Sequence, residues 1–267
     1  MDGKQFVTPR GWSDLSDMIR LYEEDGLPVD RELIGQYLQS PDIAEDFAIY
    51  YELYNKYRSD YQVASILAGN ASDEIRQRAA QAPFDERLSL LGLLLDSVCG
   101  EIRAVMEWDD VVTALHGILK EVKAGAAMDE KLRQQEEQME RDLRRGSLSP
   151  EKEERYHRIF AFLKTHSKAG SDFDAVREAF AQEVAAMRAA AKAAGVQLEH
   201  LFAFAEAVWT GGQELLILVT ELTVHYHAAR FIARYGCDAY YRHNQELMFY
   251  QRKTAIIREL EQLSQEL

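Results

Sequence analysis

The sequence predicts an all-α protein, and three observations lead to this prediction. Residues that favour helices, above all alanine, leucine, glutamate, glutamine and arginine, dominate the composition. Only 5 prolines and 15 glycines interrupt the 267 residues. Apolar residues recur every three or four positions along most of the chain, which places them on one side of a helix. With 47% hydrophobic residues, the chain can bury the core of one large domain or two modest ones.

The first predicted helix begins at Thr8-Pro9-Arg10. Thr8 is a good N-cap because its hydroxyl can accept a hydrogen bond from an amide of the first turn. Pro9 suits the first helical position, where its missing N–H costs nothing. Arg10 is thereby held in the first turn, where its guanidinium, free amides and the positive end of the helix dipole would converge on an anion. An apolar face follows at helical spacing, formed by Trp12, Leu15, Met18, Ile19 and Tyr22.

Two more helices are predicted before residue 70. A turn at residues 25–28 leads to a second helix that opens on Asp30, and Ser40-Pro41 opens a long third helix that we carry to about Ala68. The third helix has a regular seam, composed of Ile43, Phe47, Tyr50, Tyr54, Tyr57, Tyr61, Ala64 and Ala68. Its tyrosines could form a stacking platform for bases, but the neighbouring acidic residues would repel phosphates. We therefore interpret the stripe as packing against a neighbouring helix.

The next segment predicts a short helix from Ser72 to Gln81 and a longer one from Phe84 to about Val105. The longer helix is apolar around much of its circumference, as expected of a centrally packed helix. A separate helix is predicted from about Asp109 to Lys123.

A densely charged helical hairpin is predicted at about residues 128–168. Its helices run from Met128 to Arg145 and from Glu151 to about Lys168, and a Gly-Ser-Leu-Ser-Pro turn separates them. Each helix has only a thin apolar line. We interpret the pair as an antiparallel hairpin that projects from the body, with a solvated pair of surface helices as the alternative.

The last third of the chain predicts four helices. The first opens at Ser171 and ends at Ala194, and Gly195 separates it from a helix over 197–209. Residues 213–235 contain a β-rich run, but their continuing helical spacing favours one buried helix that ends at Gly236. The final helix begins at Asp238 and reaches about Leu263.

The segment from Phe6 to about Tyr61 resembles the lid subdomain of AAA+ ATPases of the MoxR type. In that family a Ser/Thr-Pro-Arg segment opens the lid, as Thr8-Pro9-Arg10 does here, and a second helix with an acidic cap follows after a short link. The resemblance divides the chain into a lid-like region at 1–70 and a C-terminal helical bundle at 71–267 that contains the hairpin. Gly11 departs from the family, which more often has a small helix former there.

The resemblance implies that Arg10 is the sensor-2 arginine, which meets the γ-phosphate of ATP bound by a preceding core domain. No Gly-x4-Gly-Lys-Ser/Thr motif and no acidic Walker B strand occurs in the sequence, so it corresponds to the C-terminal portion of such an ATPase. We expect it to couple nucleotide state to the remodelling of a partner or client, and not to hydrolyse ATP by itself. ATP and Mg²⁺ are expected only with a separate core domain.

The expected partners are therefore the AAA+ core domain or a homo-oligomeric ring, and a von Willebrand factor A-domain protein of the kind that works with chaperone-like MoxR ATPases. The alternative is a stand-alone, non-enzymatic helical scaffold or adaptor. The identity of the coding sequence just upstream would discriminate between the two hypotheses, because a P-loop segment there would favour the first.

Charge and cysteine content exclude several other classes. A formal net charge of −14 argues against nucleic acid and anionic membranes as main partners. Cys99 and Cys237 are too few for a disulfide framework and lie in apolar surroundings, which is typical of buried thiols in a reducing compartment. No signal peptide or spanning segment is evident. We expect a cytoplasmic protein.

No constellation predicts catalysis or metal binding in this chain. Glu154 and His157 match one Glu-x-x-His unit of di-iron bundles, but that chemistry needs two units and further glutamates. Glu221 and His225 lie four residues apart, and we interpret them as a buried polar pair on one helix, since two ligands do not make a zinc site. No nucleophile elbow occurs. Arg10 is therefore the single site residue that we predict.

Overall fold

The computed structural model describes residues 7–167 and 173–245. Within these residues it contains helices and no strand, which confirms the predicted all-α fold. The helices are α1 Pro9–Glu24, α2 Arg31–Tyr37, α3 Pro41–Asp60, α4 Val63–Leu67, α5 Asp73–Gln81, α6 Phe84–Lys123, α7 Met128–Arg144, α8 Pro150–Ser167, α9 Phe173–Val208, α10 Gln213–Val224 and α11 Tyr226–Tyr235. A further helix, α12, is described over residues 238–245. Ser171 and the rest of the predicted last helix lie outside the described residues.

The chain divides into two compact units. The first comprises the described part of Met1–Val63 together with Ala82–Leu93, and the second comprises Ala64–Gln81 and the described part of Leu94–Leu267. Residues 82–93 thus belong with the N-terminal helices, although they follow residue 70 in the sequence. The functional division at residue 70 stays a prediction.

The first unit is organised around a small apolar core. Leu15 of α1, Ile34 and Leu38 of α2, and Ala44 of α3 are buried together. The partly buried side chains packed against them are Val7, Ile19, Val29, Tyr37, Phe47 and Ala48. This core fixes the first three helices against one another.

The third helix differs from its prediction in length and in the face that it buries. It ends at Asp60 because Gln62 adopts a left-handed backbone with φ 47°, and α4 begins only at Val63. Tyr61 is buried, but Ile43 and Tyr50 of the predicted seam are exposed. The interpretation of the whole tyrosine stripe as a packing surface was therefore wrong. The core contacts α3 through Ala44, Phe47 and Ala48, of which only Phe47 belongs to the predicted seam.

In the second unit two helices continue through predicted breaks. The helix α6 is unbroken at Asp109 because that carboxylate is buried against Arg234 and does not cap a new helix. The helix α9 is unbroken at Gly195, which lies in close helix packing with Phe231 near its Cβ position. In both places tertiary contacts outweigh a weak local signal.

The charged hairpin forms, but it does not project as predicted. Its helices α7 and α8 turn at Gly146, which has φ 65°. Ile159 and Leu163 of α8 are buried with residues of α6 in one cluster, whose α6 members are Val111, Leu115 and Ile118. The thin apolar line is thus sufficient to bury one side of the hairpin against the central helix.

Residues 213–235 are helical, as predicted, but they form two helices rather than one. The chain breaks at His225, whose Nδ1 accepts a hydrogen bond at 3.2 Å from the amide of Ala228 and so caps α11. Gly236 ends α11 with φ 82°, as predicted. Within residues 7–167 and 173–245 no single helix has the length and hydropathy to cross a bilayer. Only α10 and α11 taken together reach both values, and they are bent by 91°.

Candidate functional site

The predicted site residue, Arg10, lies in the first turn of α1. Thr8 has an extended backbone and its Oγ1 accepts a hydrogen bond at 3.0 Å from the amide of Gly11, so it caps the helix as predicted. Pro9 occupies the first helical position. These local interactions set where the helix begins, and they place Arg10 one residue inside its N-terminus.

The guanidinium of Arg10 is open to solvent. Its side chain is 90% exposed, and its Nε lies 3.7 Å from Oδ2 of Asp14, a half-exposed carboxylate one turn later. A pair at this distance between exposed side chains contributes little, about 0–1 kcal/mol, so an incoming anion can replace it. No acidic side chain lies in the first turn of α1. The N-terminal end of α1 therefore presents both a cation, Arg10, and the positive end of the helix dipole to solvent.

The end of α2 holds the start of α1 in place. A Cβ atom on Gly11 would lie 2.9 Å from the carbonyl oxygen of Tyr37, closer than side chains tolerate, so glycine permits this approach. Trp12 packs edge-on against Phe47 of α3, with ring centroids 5.1 Å apart. The start of α1 is thus held by contacts with both neighbouring helices. This close approach accounts for the glycine at position 11.

Two further contacts stabilise the frame that supports α1. Asp30 caps α2 by accepting a hydrogen bond at 2.9 Å from the amide of Leu33. Arg31 of α2 forms an ion pair with Glu45 of α3, with 2.6 Å between Nη2 and Oε2. Both contacts involve charged residues at or near the predicted starts of these helices, Asp30 for α2 and Ser40-Pro41 for α3.

The arrangement can bind an anion, but it has no groups for covalent or acid–base chemistry. The three-helix frame presents one guanidinium, and a guanidinium is suited to phosphate because its parallel N–H groups match two phosphate oxygens. Arginines positioned in this way stabilise charge that develops on a transferred phosphoryl group.

The other sequence candidates remain without a catalytic arrangement in the described part of the chain. No group of three or more histidine, cysteine, aspartate or glutamate side chains is placed to hold a metal ion among the described residues. Glu221 is exposed and His225 caps the next helix, so the interpretation as a buried polar pair was wrong. The break at His225 separates them, because the histidine satisfies an amide of α11 instead.

Both cysteines are buried free thiols, as predicted. Burial, followed by the nearby carboxylates of Asp96 and Glu221, raises the pKa of Cys99 to about 11. Burial also raises the pKa of Cys237. Neither thiol is therefore an activated nucleophile, because the reactive thiolate is disfavoured.

Partly buried ion pairs between α6 and α11 were missed by sequence reasoning. Asp110 accepts two hydrogen bonds from Arg230, at 2.8 and 3.3 Å, and these bonds raise the pKa of the guanidinium. Asp109 lies 2.8 Å from Nη2 of Arg234, while burial raises the pKa of its carboxyl. The available signal was a pair of consecutive aspartates inside an otherwise apolar helix.

Two of the cavities in the second unit bear on these pairs and on the hairpin. One, of about 290 Å³, is lined by Glu107, Asp110, Ser149, Glu151, Lys152, Arg155, Tyr226, His227 and Arg230. The other, of about 560 Å³, lies among α6, α8 and α9. The first mixes acidic and basic side chains, and two of its cations, Lys152 and Arg230, already pair with aspartates. It therefore selects no clear class of ligand.

Another buried polar cluster connects the two helices of the hairpin. Asp142 accepts hydrogen bonds from Tyr156 Oη and Lys152 Nζ, each at 2.8 Å. The bond from Lys152, followed by that from Tyr156, lowers the pKa of the Asp142 carboxyl. Burial and the bond to Asp142 raise the pKa of Tyr156 to about 12. This cluster joins α7 to α8 at the closed end of the hairpin and has a structural role.

Comparison with known proteins does not extend these observations. No protein-family model matches this chain, and no curated protein or solved structure is significantly similar to it.

Proposed function

We propose that this chain supplies the lid and a helical extension of a MoxR-type AAA+ ATPase, with Arg10 as its sensor-2 arginine. The observation that carries the proposal is the exposed guanidinium in the first turn of α1, with Asp14 as its weak partner at 3.7 Å. In this role the chain does not hydrolyse ATP by itself. A separate core domain binds the nucleotide and Mg²⁺.

Arg10 would act by charge. When α1 points toward the bound nucleotide, the guanidinium leaves Asp14 and meets the γ-phosphate, where it stabilises the charge of the transition state. The contacts of Gly11 and Trp12 with α2 and α3 support this role, because they allow Arg10 to move together with the whole three-helix frame. A change of nucleotide would then shift the lid and, through it, the helical extension that contacts a partner or client.

The same proposal sets the expected assembly. The family assembles as rings and works with von Willebrand factor A-domain proteins, so we expect this chain to function beside a core domain in a cytoplasmic ring. The acidic net charge of −14 supports a protein partner rather than nucleic acid.

The proposal is tested by ATP turnover of a P-loop core domain of this family mixed with the chain. Arg10→Ala should lower the turnover number about tenfold or more, because one charge-stabilising group is lost from the transition state. Arg20→Ala is the matched control, since Arg20 is an exposed arginine on the same helix with a similar weak partner, Asp17 at 3.8 Å. Its turnover should equal that of the wild type.

Equal turnover of the two variants would contradict the proposal. The chain would then be better described by the alternative, a non-enzymatic helical scaffold. Wild-type chain without the core domain serves as the blank and should show no turnover.

A further inference from the structure

The helix α3 carries apolar side chains on the side that faces away from the core of the first unit. Ile49, Tyr50 and Leu53 are 52%, 59% and 41% exposed. At about 100° per residue, these side chains and Ile43 fall within an arc of roughly 120°, whose centre lies almost opposite Ala44. We call these four residues the outer face of α3.

An outer face of this kind is unusual for a helix that packs by one side only. The surface side of such a helix is normally polar, because apolar side chains there gain nothing from the fold. Contiguous exposed apolar side chains mark surfaces that bind other molecules. The outer face is also distinct from the start of α1, where Arg10 lies.

Acidic side chains lie within the outer face and beside it: at 100° per residue, Asp42 and Asp46 fall inside its arc toward the N-terminal end of α3, and Glu52 lies beside it. Asp42, Asp46 and Glu52 are exposed, and none of the three makes a hydrogen bond or ion pair within the described part of the chain. The fourth acidic residue nearby, Glu45, already pairs with Arg31. A single exposed lysine, Lys56, lies on this side of the helix. The face therefore combines an apolar area at Ile49, Tyr50 and Leu53 with carboxylates at its N-terminal end and along one edge.

This combination selects among the possible occupants. Nucleic acid and anionic membranes would be repelled by the carboxylates. A second copy of the chain in a symmetric dimer would bring the same carboxylates against one another. An amphipathic helix with basic residues beside its apolar side fits both the apolar residues and the charge, and binding through such anchors is a recurring mode of recognition.

We infer that the outer face of α3 binds an amphipathic helix of a partner protein, with aliphatic side chains against Ile49, Tyr50 and Leu53 and with lysine or arginine side chains opposite Asp42, Asp46 and Glu52. The inference does not depend on nucleotide sensing by Arg10. It concerns a different surface of the same unit, and it holds whether or not the chain works with an ATPase core.

Two synthetic peptides of about 18 residues, or five helical turns, test this inference. Both carry leucines at positions i, i+3, i+4 and i+7, and they differ in having either lysines or glutamates beside the leucines. Fluorescence anisotropy with the full chain should show binding of the lysine peptide, with an affinity that falls as salt rises. The glutamate peptide should bind at least tenfold more weakly.

Variants of the chain then locate the binding surface. The double substitution Tyr50→Ser with Leu53→Ser should weaken binding of the lysine peptide at least tenfold. The matched control is Leu21→Ser with Leu27→Ser, since both leucines are 50% exposed but lie off α3. It should bind the peptide as the wild type does. Circular dichroism of each variant verifies that the helices are retained.

Three outcomes would overturn the inference. The first is peptide affinity that is the same in the α3 variant and in the control. The second is a change in sedimentation from dimer to monomer in the α3 variant, because a second copy would then occupy the face. The third is a loss of ATP turnover in the α3 variant mixed with a core domain, because the core would then cover the face. Loss of turnover in Arg10→Ala alone leaves the inference unchanged.

Discussion

Replacement of Gly11 by alanine tests the contact that aims the start of α1. Alanine is favoured over glycine inside a helix by about 1 kcal/mol, and by less in the first turn, where the helix is only partly formed. The added Cβ would lie 2.9 Å from the carbonyl oxygen of Tyr37, and an ordinary contact begins at 3.4 Å. The two helix backbones would have to separate by about 0.5 Å, and overpacking of this kind costs about 1–3 kcal/mol. We therefore expect Gly11→Ala to destabilise the protein by about 1 kcal/mol.

Gly35→Ala is the matched control, because Gly35 lies within α2 and no atom comes within 4 Å of its Cβ position. This substitution should stabilise the protein by about 0.5–1 kcal/mol, through helix propensity alone. Urea unfolding followed by far-ultraviolet circular dichroism measures both changes, and amide exchange in α1 and α2 locates them. A Gly11→Ala variant as stable as Gly35→Ala would refute the reasoning, since it would show that α1 does not approach Tyr37 so closely.

Three other expectations follow from the second unit. Trp209→Phe should lower the free energy of unfolding in urea by about 1–3 kcal/mol. Trp209 Nε1 donates a hydrogen bond at 3.1 Å to the buried carbonyl of Ala79, and the residue four positions later, Pro83, has no N–H that could replace it. An unchanged unfolding midpoint would contradict this expectation. His225→Ala should lower the free energy of unfolding by about 1 kcal/mol, because α11 loses its N-cap. His225→Asn should keep the stability of the wild type, since asparagine can also cap a helix. Equal stability of the two variants would argue against capping. Because the pKa of Cys99 is about 11, little of its reactive thiolate is present at mildly alkaline pH. Cys99 should therefore react with iodoacetamide at least about 100-fold more slowly in the native protein than in denaturant. Similar rates in the two conditions would exclude burial of this thiol.

The parts that could be predicted from the sequence depend on residues close together in the chain. Thr8 and Pro9 determine the start of α1 through interactions within one turn, so both the helix start and the exposed position of Arg10 could be predicted. The glycine stop at Gly236 and the turn at Gly146 are local in the same way. Each of these residues has a backbone or capping preference that needs no distant partner.

The errors arose where the outcome depends on a distant partner, on a bend that hydrophobic periodicity does not mark, or on which of two apolar sides meets the core. Asp109 resembles a new helix start until Arg234, far along the chain, pairs with its carboxylate inside a continuous helix. His225 becomes a cap only because the chain bends there, and no periodicity indicates that bend. Tyr50 belongs to an apolar seam, yet α3 is apolar on two sides and the sequence does not reveal which side meets the core.

The role of Arg10 could be predicted only as far as its placement. The helix start, its exposure and its weak partner are properties of the first unit, and they agree with a group that meets an anion. The geometry does not identify that anion, and its proposed identity as the γ-phosphate of ATP rests on the resemblance to a family alone.

The central claim is that Arg10 meets the γ-phosphate carried by a core domain. The most direct test compares the affinity of the chain for a core domain loaded with ADP and aluminium fluoride, which mimics the phosphoryl group in transfer, with its affinity for the same domain loaded with ADP. We expect the wild type and Arg20→Ala to bind the aluminium fluoride state about tenfold or more tightly than the ADP state, and Arg10→Ala to bind the two states alike. An undiminished preference in Arg10→Ala would contradict the claim.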